Sequence, residues 1–234
     1  MCDFLCWLVR VSYVLMTLAM IHIIVQSFLQ KTYGMPPLGT IVMLATTAMC
    51  GFIGPWVLGP LFYPSTDKMT VWIWRAWFFM TLIVYVQWIA WGIRTHPDWP
   101  FLKRYAVPLS LAAFLVALAG AYTFVVFYQD FYVNELSPIG MLLLAIGYIT
   151  TVFLRPSLYG LSLAVAWYWF IGNALLYGAT MAGGMHAAYP DAEHGYAFVY
   201  WVFAITLVLN VAYIIMLTPK RDRLREAPSE PRGA

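Results

Sequence analysis

Charge is the scarcest property of this chain. Only 10% of its 234 residues are charged, 13 Lys and Arg and 10 Asp and Glu, where a soluble domain carries roughly 25%. Eight of these charges fall between Lys220 and Arg232. The remainder cannot cover a surface in water, which excludes a soluble enzyme, a nucleic-acid binder and a disordered regulator. Cysteine is nearly as scarce. Cys2, Cys6 and Cys50 are odd in number and lack metal-ligand spacing, so no disulfide framework is expected. The first apolar stretch outruns a signal-peptide core and lacks small residues at a cleavage position, so it reads as a retained span.

What is present is apolar, with 63% of residues hydrophobic and 18% aromatic. A helix needs about 20 apolar residues to cross a bilayer core. Seven stretches answer to that, near Phe4–Leu29, Gly39–Phe62, Thr70–Ile93, Pro108–Phe127, Pro138–Leu154, Leu158–Met181 and Ala197–Leu217. Turn residues separate them, as at Gly34–Pro37, Tyr63–Asp67, Arg155–Ser157 and Tyr189–Asp191. The expected fold is an all-α integral membrane protein, a seven-transmembrane-helix bundle over residues 1–217, with a polar cytoplasmic tail over 218–234. The stretch Arg94–Tyr105, mixing aromatic and basic side chains, is expected along the membrane surface. Gly51, Gly54, Pro55, Gly59 and Pro60 predict an irregular second span, a kink or gate whose freed backbone groups need partners.

Basic residues set the expected orientation. Lys31, Arg94, Lys103, Arg104, Arg155 and the five basic residues of the tail fall on one side of seven spans. The other side carries Lys68 with Asp67, Asp130, Glu135, Asp191 and Glu193. Cytoplasmic loops carry the Lys/Arg excess, so the amino terminus is expected outside, in a multi-pass protein of the cell (inner) membrane. The expected partners are membrane lipids, other membrane subunits or further copies of the chain.

No Asp, Glu or Lys falls within a predicted span. Proton- or sodium-coupled transport through intramembrane carboxylates, paired-carboxylate chemistry and a retinal Schiff base all lose their key residue on that count. His22 is the lone histidine in a span, which argues against bis-histidine haem, and no other cofactor is named. Two arginines do enter spans. Arg10 sits about two turns inside the first and Arg75 about one and a half turns inside the third. They read either as snorkelling to headgroups or as donors for an anionic or carbonyl-bearing ligand.

Neutral polar residues recur at helical spacing. Trp77 and Tyr85 share a face of the third span, Trp169, Asn173 and Tyr177 one of the sixth, and Thr206, Asn210 and Tyr213 one of the seventh. An unpaired amide in hydrocarbon is costly, so these groups face protein or a cavity. They read as interhelical hydrogen bonds or as a pocket with aromatic walls and amide donors. In the loop before the last span, His186, Asp191 and His194 are candidate metal ligands, although Pro190 keeps them off one helical face.

Three functions remain open. One is a protein with an aromatic and amide-lined central pocket that binds or moves a small neutral or anionic molecule, lipidic or not. In it the ligand contacts are Arg10, Arg75, Trp77, Tyr85, Trp169, Asn173, Tyr177, Thr206, Asn210 and Tyr213. The second is a non-catalytic subunit of a respiratory or biosynthetic membrane complex. The third, a membrane enzyme acting on a lipid or isoprenoid, has only His22 and the loop groups to offer, and no catalytic residue is assigned.

Overall fold

The computed structural model describes residues 2–59, 68–92, 100–128, 136–154, 160–182 and 196–226. Among them are seven helices and no strand. These are α1 (Cys2–Gln30), α2 (Pro37–Ala48), α3 (Lys68–Gln87), α4 (Pro100–Phe127), α5 (Leu136–Leu154), α6 (Leu163–Ala182) and α7 (Tyr196–Glu226). α2 continues as a π-helix over Met49–Leu58, and α3 ends in a π-helical turn over Trp88–Gly92. Six of these rods are long and apolar enough to cross a membrane. α6 has the length but not the hydropathy, because its Trp, Tyr and Asn residues dilute it. The chain is a multi-pass membrane protein.

Neighbouring helices close a ring in the order α1, α3, α2, α5, α7, α6 and back to α1, with α4 outside it against α2. α6 packs most extensively on α1. The core of the ring is built from Met16, Met20 and Ile23 of α1, Met43 and Met49 of α2 and its continuation, Trp77 and Val84 of α3, and Trp169 of α6. The expected Arg94–Tyr105 surface stretch is helical from Pro100 and runs straight into α4 through Pro108, while residues 93–99 lie outside the described part. α7 likewise carries on past Leu217 to Glu226, as Lys, Arg, Leu and Glu are good helix formers.

α2 starts where Pro36 and Pro37 supply a fixed φ, and the Thr40 amide makes the first helical bond to the Pro36 carbonyl at 2.8 Å. Its second half is where the expected irregularity lies. A proline inside an α-helix lacks the N–H and drives its ring into the carbonyl four residues earlier. For Pro55 that carbonyl belongs to Gly51, and the wider π-helical turn relieves the clash. Gly59 then ends the segment at φ 54°.

The connection from α1 to α2 is buried from Thr32 to Pro36. It lies on the chain entering α6, held where the Gly160 amide donates to Gln30 Oε1. Gly160 has φ 82°, and a Cβ there would meet the Tyr33 carbonyl oxygen at 2.4 Å. Any other residue would push the two segments apart.

Candidate functional site

The candidate residues divide by whether the bundle gives their polar atoms a partner. Arg75, half-buried on α3, donates from Nε to the Gly51 carbonyl at 2.9 Å. In the i→i+5 pattern of the π-helix the Gly51 carbonyl pairs with the amide of Trp56, and the arginine gives it a second donor from α3. Its guanidinium carbon lies 5.1 Å from the Trp72 ring and 5.5 Å from the Phe52 ring, which favours the cation on both sides. Arg10 is exposed on the surface of α1. Trp77 donates from Nε1 to Thr17 Oγ1 at 2.9 Å, joining α3 to α1. Tyr85 shares a 2.6 Å hydrogen bond with Ser110 Oγ, joining α3 to α4. These four are accounted for as structure or surface by their surroundings.

The α6–α7 seam differs. Tyr177 stacks on Phe203 with centroids 3.9 Å apart and planes at 10°, which fixes the two stripes face to face. Thr206 stands beside the Tyr177 phenol and donates its own proton to the Val202 carbonyl at 2.7 Å. Tyr213 packs on Tyr148 of α5 at 5.0 Å. Between these aromatic pairs the polar atoms run out of partners. Trp169 Nε1, Asn173 Oδ1 and Asn210 Nδ2 are buried and make no hydrogen bond. Their residues are 3%, 2% and 6% exposed.

The three lie on the same side of the stack, spread over about 6 Å of depth. Consecutive spans run in opposite directions, so positions counted back along α6 and forward along α7 from the stack move the same way. At about 1.5 Å per residue, Asn173 is about 6 Å, Asn210 about 10 Å and Trp169 about 12 Å from it. α1 closes the third side. A Cβ at Gly172 would sit 3.4 Å from the Ser12 carbonyl oxygen, so the Ser12 turn lies against the turn that carries Asn173. Ser12 Oγ is also buried without a partner.

An unpaired buried amide or indole N–H costs about 1–3 kcal/mol. Four such groups cost roughly 4–12 kcal/mol, a large share of a domain's net stability of about 5–15 kcal/mol. Two of the atoms are donors, one is an acceptor and the serine hydroxyl serves either way. No Asp, Glu, Lys or Arg is among the buried residues described. The arrangement suits a hydrogen-bonding group without net charge.

Sequence reasoning singled out Trp169, Asn173 and Asn210 but not Ser12, nor Gln87 of α3, whose Oε1 is another buried atom without a partner. An amide inside a span was signal enough for Gln87; a single hydroxyl such as Ser12 gives none. His186, Asp191 and His194 lie outside the described residues. Among those described, no group of three or more His, Cys, Asp or Glu is placed to hold a metal ion. No protein-family model, curated protein or solved structure matches the chain, so the functional reading rests on geometry.

Proposed function

We propose that this membrane protein binds, and carries, a small uncharged molecule between α6 and α7, held by Asn173, Asn210 and Trp169 with Ser12 at its edge. One observation carries the reading: hydrogen-bonding atoms of both signs are buried without partners along the seam between two aromatic pairs. A pocket with mostly apolar walls and a few placed polar groups is the usual form of a small-molecule site. An anion is disfavoured, because Arg75 is engaged with Gly51 and Arg10 is exposed.

A second reading, a subunit of a larger membrane complex, draws on α4. Its Ala112, Ala113, Ala119 and Gly120 are exposed, a small-residue face of the kind that lets helices approach in lipid. Mild detergent extraction of the full chain followed by native mass spectrometry separates the two. The pocket reading expects one uncharged small molecule retained by the wild-type chain and lost from Asn173→Leu/Asn210→Leu. Retention of nothing, with other membrane proteins at fixed stoichiometry, would overturn it in favour of the complex.

A further inference from the structure

A second place in the bundle leaves polar atoms without partners, at the other end of α1. Ser12, Met16, Ala19, Ile23 and Ser27 follow one another along a single buried stripe, each at most 1% exposed. The two serines are separated by about 22 Å of helix, at about 1.5 Å per residue. Ser27 Oγ, like Ser12 Oγ, is buried and makes no hydrogen bond. Across from it stands Gln87 of α3, 2% exposed. Its Nε2 donates to the Ile24 carbonyl at 3.1 Å, which places the carboxamide beside the turn of α1 that carries Ser27. Its Oε1 has no partner.

The buried Thr32–Pro36 connection covers this spot. A Cβ at Gly34 would come within 3.1 Å of Ser27 Oγ, so the strap lies directly on the hydroxyl. The strap is not tied to α1 alone, since it rests on the chain entering α6 through Gly160. Met16, Ala19 and Ile23 separate the two polar ends with side chains that offer no hydrogen bond.

We infer that Ser27 and Gln87 form a second binding station, under the Thr32–Pro36 strap, for the same uncharged molecule that Asn173 and Asn210 hold. This rests on the α6–α7 reading. The chemistry narrows the ligand. The first station presents two N–H donors and one carbonyl acceptor; the second presents a carbonyl acceptor and a hydroxyl. A molecule served at both carries its own donor and acceptor without net charge, as a small alcohol or a primary amide does. The Met–Ala–Ile stretch is then the barrier between stations, and the strap is the part whose displacement opens the second one.

Cysteine reactivity reads this directly, because the thiolate is the nucleophile and a thiol in dry apolar surroundings stays inert. Ser27→Cys, Asn173→Cys and Ala19→Cys would each be made in the full chain, reconstituted in phosphatidylcholine vesicles. Each is treated with the neutral reagent methyl methanethiosulfonate and scored by peptide mass spectrometry. The expected result is that Ser27→Cys and Asn173→Cys react about tenfold or more faster than Ala19→Cys. Ser27→Cys as slow as Ala19→Cys overturns the second station and leaves the first standing if Asn173→Cys reacts. Asn173→Cys as slow as Ala19→Cys removes the α6–α7 reading itself. Equal fast reaction at all three means one continuous wet channel and overturns two separated stations. Should Ser27→Cys fail to fold, Gln87→Cys is scored by the same criteria.

Discussion

The contacts of α3 and the α6–α7 seam hold the same kinds of residue and treat them in opposite ways. Around α3, Trp77 reaches Thr17, Tyr85 reaches Ser110 and Arg75 reaches Gly51, each within 2.9 Å. Between α6 and α7, Trp169, Asn173 and Asn210 reach nothing. In a bilayer no water rescues an unpaired group, so a joint that satisfies its polar atoms is holding helices together. One that does not carries a cost in stability, and under the proposed function a bound molecule offsets it. The contrast turns a list of intramembrane polar residues into two populations, and substitution tests whether they are distinct.

The largest effect is expected at Arg75. Arg75→Met keeps much of the apolar stem but removes the charged donor that ties α3 to the Gly51 carbonyl in the π-helical stretch. A hydrogen bond to a charged group is worth about 1.5–3 kcal/mol. The loss of stacking on Trp72 and Phe52 adds to that, so unfolding in detergent should come about 3 kcal/mol easier. Stability unchanged to within about 0.5 kcal/mol would mean the π-helical stretch needs no latch.

The opposite sign is expected next. Asn173→Leu/Asn210→Leu replaces unpartnered amides by apolar groups of the same branching. Replacing an unsatisfied polar group by an apolar one of similar shape is neutral or stabilising. The ligand-free double variant should therefore melt at the wild-type temperature or gain about 1–3 kcal/mol, while its retained small molecule disappears. Stability falling by a similar amount would place the two asparagines in the same structural population as Trp77.

Trp77→Phe tests the satisfied side more gently. It keeps an aromatic ring against Tyr13, removes the bond to Thr17 and leaves part of the buried indole volume unfilled. The expected loss is about 2 kcal/mol in a chemical or thermal unfolding assay, with ligand retention intact.

Much of the fold was legible because hydrocarbon imposes it. The length of each apolar stretch and the Pro and Gly residues between them placed all seven helices, α5 and α6 included. The irregular half of α2 was legible for the same reason, since Gly51 and Pro55 are four apart in the sequence. What sequence could not show was pairing. Trp77 and Trp169 look alike as aromatic residues at helical spacing, yet one meets Thr17 from α1 and the other meets no acceptor. That depends on which helices become neighbours, and the ring order places α1 between α3 and α6, far from its order in the chain. α7 runs past Leu217 to Glu226 because charge ends a membrane span without ending a helix.

The smallest effect separates the two populations most cleanly. In a double-mutant cycle, residues that touch show a coupling energy and residues that do not are additive. Tyr85→Phe and Ser110→Ala should couple by about 0.5–1 kcal/mol, because each removes one end of the same 2.6 Å bond. Asn173→Leu and Asn210→Leu should be additive in the empty protein, as neither amide bonds the other. With the retained molecule present the same pair should couple, since each asparagine then grips one end of a shared partner. Coupling that is equal with and without the molecule would mean the two amides bond each other directly, and the unpartnered seam would become an ordinary interhelical joint.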